Sequence, residues 1–98
     1  MLLPLYDNDG LRIDPAVFVS VRELLAHRFG GVTAYTRAPA TGLWKKDTGE
    51  IDRDQVVAVE VMVNSLDRDW WRSYGADLAR AFRQKAVVVR ALAVEMLS

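Results

Sequence analysis

The sequence predicts an α+β domain spanning residues 1–98 as one unit, and three observations carry that reading. Apolar residues alternate over 55–63, the period of a strand. Apolar residues recur at spacings of three and four over 18–29 and again over 71–82, the period of a helix. Clusters of Gly, Pro and Asp separate these segments, with no repeat, linker or low-complexity stretch between them. A hydrophobic content of 51% against 27% charged residues belongs to a folded chain rather than a disordered one.

The first element is the short apolar run Leu2 to Tyr6, closed by the turn residues Asp7-Asn8-Asp9-Gly10. Asp14-Pro15 starts a helix, because Asp accepts from free amides and Pro at the first position gives up no hydrogen bond. Phe18, Val21, Leu25 and Phe29 form its apolar stripe, and Gly30-Gly31 ends it. His27 and Arg28 fall in the last turn, where positive charge suits the helix dipole.

From Val32 to Arg37 the period becomes two, with Thr33, Tyr35 and Arg37 on one face and Val32, Ala34 and Thr36 on the other. Pro39 and Gly42 interrupt this strand, Leu43-Trp44 resumes it, and Asp47-Thr48-Gly49-Glu50 reads as a polar turn. Gln55 to Val63 is the clearest strand. Val57, Val59, Val61 and Val63 share one face, while Val56, Ala58, Glu60 and Met62 share the other. Neither face is polar throughout, which places the strand in the middle of a sheet.

Asp67 caps the second helix, with Asp69 in its first turn and Trp71, Tyr74, Leu78, Ala81 and Phe82 on the buried stripe. Trp70 points about 100° away from Trp71. Val87 to Leu97 reads as a last strand, with Leu92, Val94 and Met96 toward the helices and Ala91, Ala93 and Glu95 opposite. The order βαββαβ is the ferredoxin-like arrangement: a four-stranded antiparallel sheet of order 4-1-3-2 with two helices on one face.

Two helices cover one face only, so the other must meet water, ligand or protein. The residues left there are Val56, Ala58, Glu60 and Met62, joined by Ala91, Ala93 and Glu95 and by Tyr35. Such an apolar surface marks an interface. The expectation is a homodimer packed through the sheet face: an interaction module, or a binding module for a small apolar ligand. The candidate ligand-binding residues are Tyr35, Arg37, Trp44 and Glu60. Glu60 sits between Ala58 and Met62, a setting that suits either an ion pair with Arg37 or Arg90 or a general acid–base role. The alternative is a small enzyme of the dimeric α+β barrel type, acting on an apolar or aromatic molecule over the same face.

Other chemistries find little support. The chain has no cysteine and one histidine, so thiolate nucleophiles, cysteine-ligated metals and two-histidine metal sites within one chain are out. Asp7, Asp9 and Asp14 lack the calcium-loop spacing, since the required glycine falls on Arg12, and read as a surface turn. Gly30-Gly31 follows a helix instead of opening one, the wrong polarity for a phosphate loop. The candidate central strands lack the stacking aromatics of RNA-binding sheets, and Arg80, Arg83, Lys85 and Arg90 read as a solvated helix end. Formal net charge is zero, which selects neither nucleic acid nor an anionic membrane. No cofactor or metal is expected. Met1-Leu2-Leu3-Pro4-Leu5 has no basic residue ahead of it and no window matches a membrane span, so the expectation is a cytoplasmic protein.

Arg28-Phe29-Gly30-Gly31-Val32-Thr33, the later Gly42-Leu43-Trp44, and the helix-to-strand passage from Phe82 to Arg90 together resemble a family of small bacterial proteins of unknown function. The likeness extends over most of residues 14–96 and departs at Pro39-Ala40-Thr41. It implies a ferredoxin-like fold and a bacterial source, and attaches no catalytic residue.

Overall fold

The computed structural model describes the backbone of residues 1–45 and 51–98, with side chains described for 1–34 and 56–98. The order of elements is β1 (Leu2–Pro4), α1 (Pro15–Phe29), β2 (Thr33–Lys45), β3 (Ile51–Glu60) and α2 (Arg68–Ala81). The described residues thus form an α+β structure of two helices and a three-stranded antiparallel sheet, ordered β1-β3-β2. The polar turn expected at Asp47–Glu50 lies outside the described residues.

Local chemistry sets both helices. The Asp14 carboxylate accepts from the Ala16 amide at 2.9 Å, and Pro15 opens α1. Gly30 closes it at φ 81°, its amide donating to the Ala26 carbonyl at 2.8 Å. That conformation, which L side chains avoid, is why glycine stands there. Asp67 accepts from the Trp70 amide at 3.1 Å to start α2, with Asp69 in its first turn.

Register fixes what the sheet buries. Leu2, Leu3 and Pro4 pair with Ala58, Val57 and Val56. Residues of one parity, Leu3, Val57 and Val59, join Val21 and Leu25 of α1 and Tyr74, Leu78 and Phe82 of α2 in the core. Phe82 caps that core from the end of α2, its ring edge-on to Phe18 with centroids 5.1 Å apart. The opposite parity, carrying Leu2, Val56 and Ala58, stays half-buried, and Glu60 and Thr33 are exposed. Both helices therefore lie on one face, as expected.

Two strands differ from expectation. β3 begins at Ile51 and ends at Glu60, where 55–63 was expected, because pairing with β2 extends down to Lys45↔Ile51 and stops at Thr33↔Glu60. Pro39 does not end β2. The strand continues to Lys45 across a register shift between Tyr35 and Ala40, and proline, which has no amide to donate, falls in that break.

The fourth strand expected over Val87–Leu97 is reduced to one bridge, Leu2↔Val88, with the Leu2 amide donating to the Val88 carbonyl at 3.0 Å. The reason is register. Antiparallel pairing through Leu2↔Val88 sets the first residue of β1 opposite Val88, so the residues after Val88 run past the end of that strand. The facing also reverses. Val88 shares the Leu2 face and is exposed, while Val87 and Val89 pack against the core. Leu92, Val94 and Met96, expected toward the helices, are 76%, 70% and 67% exposed.

Candidate functional site

The four residues singled out by sequence do not converge. Tyr35 pairs with Ala58 and Arg37 lies in the register break of β2. Trp44 pairs with Asp52, so eight strand positions, roughly 26 Å at about 3.3 Å per residue, separate it from Glu60 along β3. The side chains of Tyr35, Arg37 and Trp44 lie outside those described. Glu60 is the last residue of β3 and is exposed, at the end of the strand rather than in its middle. Its charge acts on the Met1 ammonium, as does that of Arg90.

That ammonium lies at the mouth of the main concavity. It donates to the Val59 carbonyl at 2.7 Å. Burial first, then the neighbouring Arg90, hold its pKa below the ordinary value, with Glu60 acting in the opposite sense. The concavity is a groove of about 1010 Å³ bounded by α2, by residues 61–66 after β3 and by the C-terminal segment. Trp71, Gly75 and Ala79 of α2 form its floor, and their spacing puts them on one helix face. The C-terminal segment passes close to this face: a Cβ built on Gly75 would make ordinary contact with the Val89 side chain at 3.5 Å. Val61 and Leu66 wall the opposite side.

The rim is basic. Arg68, Arg72, Lys85 and Arg90 line the groove, and Glu60 is the one acidic lining residue among the described residues. Arg72 also reaches Asp69 at 3.6 Å, an exposed i,i+3 pair of small energetic weight. Sequence reading grouped Lys85 and Arg90 with a solvated helix end and passed over Arg68 and Arg72. The available signal was the i, i+4 spacing of Arg68 and Arg72 above the small residues of the same helix face.

The aromatic cluster is structural. Trp71 stacks on Phe29 with centroids 5.3 Å apart, and Trp70 stacks on Tyr74 at 4.9 Å. The Arg28 guanidinium covers Trp70 at 4.2 Å from the ring centre. Trp70, expected partly off the core, is thus tied between α1 and its own helix. Phe29 and Gly30, two of the residues behind the family resemblance, have structural duties here: one stacks on Trp71 and the other closes α1.

Asp7 was read as part of a surface turn and is instead buried. Its Oδ1 accepts from the Asp9 and Leu11 amides at 2.8 and 2.9 Å, and its Oδ2 meets Arg83 Nη2 at 2.8 Å. No group of three or more potential metal ligands occurs among the described residues. No helix among them is long and apolar enough to cross a membrane. Comparison with protein-family models, with curated proteins and with solved structures finds no match to this chain.

Proposed function

We propose that the chain is a homodimerising interaction module of ferredoxin-like topology, pairing through the open sheet face and the C-terminal segment that continues it. The isolated Leu2↔Val88 bridge beside β1, in a sheet ordered β1-β3-β2, supports the topology, since a fourth strand of the order 4-1-3-2 would lie on that side. The observation that carries the dimer is the run of exposed apolar side chains at Val88, Leu92, Val94 and Met96, on a segment whose own sheet offers it one bridge. A solvated monomer gains nothing from that arrangement, whereas a second copy removes the apolar area from water.

A second copy fits better than a partner of opposite charge. The described open face and segment carry charges of both signs, Glu60 and Glu95 against Arg90, set among apolar side chains, and the chain has no net charge. A twofold axis brings identical surfaces together, so the base of one copy can meet an acid of the other. Sedimentation velocity tests this. A dimer is expected by about 100 µM, the concentration at which an association of about 5.5 kcal/mol is half complete. Val88→Asp, at an exposed position on this surface, is expected to weaken association by about tenfold or more. A strict monomer at that concentration would sink the reading.

A further inference from the structure

We propose that the groove between α2 and the C-terminal segment binds an amphipathic carboxylate, its apolar body along the helix floor and its anionic head at the basic rim. The inference goes beyond dimerisation. The two surfaces share Leu92, Val94 and Met96, whereas Val88 belongs to the dimer surface alone and Arg68, Arg72 and Ala76 to the groove alone.

Two properties of the groove select this chemistry together. Its floor of Trp71, Gly75 and Ala79 offers no charge and little hydrogen bonding, so it favours an aliphatic or aryl body. Its rim concentrates four cationic side chains against Glu60 in a chain of zero formal net charge. A volume of about 1010 Å³ is ample for a small amphipath. A purely apolar molecule would leave the rim unused, and a bare inorganic anion would leave the floor in water. Arg90 is the best placed head-group partner: it is exposed and close enough to act on the Met1 ammonium, whereas Arg72 is shared with Asp69.

Isothermal titration calorimetry of the full chain tests the assignment, with decanoate below micelle formation as the probe and decyltrimethylammonium as the charge-reversed control. Decanoate is expected to bind at least about tenfold more tightly than the cation. Arg90→Glu is expected to cost about tenfold or more in decanoate affinity. Ala76→Trp, at an exposed helix position lining the groove, is expected to fill it and abolish binding while the thermal melt remains cooperative. Absence of binding by the parent chain, equal affinity for the two amphiphiles, or an unchanged Arg90→Glu affinity would each overturn the proposal. Val88→Asp separates the two readings: it should bind decanoate as the parent does, even where it has lost the dimer. Loss of binding in that variant would remove the groove as the site and leave dimerisation standing.

Discussion

Asp7 and Arg83 join the loop after β1 to the end of α2 through an ion pair of 2.8 Å, with the Asp7 side chain only 2% exposed. Around it, the Asn8 amide donates to the Arg83 carbonyl at 3.4 Å, and Gln84 Nε2 donates to the Tyr6 carbonyl at 2.9 Å. Three contacts therefore fasten the end of the second helix to the first loop of the chain.

The pH dependence of stability should carry the signature of Asp7. Burial pushes its pKa up, but the Leu11 and Asp9 amides and the Arg83 guanidinium outweigh this and hold it below its ordinary value of 3.8. The folded state therefore keeps Asp7 ionised at pH values where the unfolded chain has taken up the proton. Its contribution is complete above that ordinary value and is lost as pH falls through the folded value. Asp7→Asn should lower the melting temperature at neutral pH and flatten the acid limb below about pH 4. Melts from pH 7 to pH 2 measure both, and an acid limb of unchanged slope would contradict the assignment.

Arg83 occupies the left-handed region, at φ 52°, without being glycine. Its backbone is strained while its guanidinium is useful, so two substitutions separate the effects. Arg83→Ala loses the ion pair and keeps the strain, whereas Arg83→Gly loses the pair and relieves it. The glycine variant should be the more stable of the two by about 1 kcal/mol in urea denaturation. Equal stability would mean that the backbone there carries no strain.

The Tyr74 hydroxyl is buried without a hydrogen-bond partner among the described residues, and its ring belongs to the core. Burial, reinforced by Asp77, raises its pKa. Tyr74→Phe removes an unsatisfied polar group and keeps the ring, so it should leave stability unchanged or raise it by up to about 1 kcal/mol. Tyr74→Ala should cost about 3–5 kcal/mol. The raised pKa also means that the unfolded chain ionises first in alkali, so the parent should lose stability above the ordinary tyrosine value and the Phe variant should lose less. A clear destabilisation by Tyr74→Phe at pH 7 would show that the hydroxyl has a partner.

Gly30 tests the price of the left-handed cap alone. A Cβ there meets nothing within 4 Å, so Gly30→Ala should cost only the backbone preference, about 1 kcal/mol. A much larger loss in thermal denaturation would point to an unseen steric role.

What could be read in advance was what is decided locally. Asp14-Pro15, Gly30 and Asp67 set helix ends through groups within a few residues of themselves, and the structure places all of them as expected. The valines at 57 and 59 found the core because strand parity is local too. The C-terminal strand was not readable in this way. Val87–Leu97 has the right alternation, but a strand also needs an edge to pair with, and the register set by Leu2↔Val88 carries the segment past the end of β1. Asp7 was misread for a related reason. Its turn chemistry is local, while its burial depends on Arg83 at the far end of the chain. The candidate site suffered most, because convergence depends on register: the pairing Trp44↔Asp52 puts that tryptophan far from Glu60 along the same sheet.

The register break around Pro39 limits how copies can accumulate. β2 is an outer strand of the sheet, and an outer strand with unbroken amides invites a further chain to add to it. Here proline removes one donor and the shift between Tyr35 and Ala40 puts its neighbours out of step. The outer edge of β2 is thereby a poorer template for a further strand, and the open-ended growth that an unbroken edge would support is hindered there.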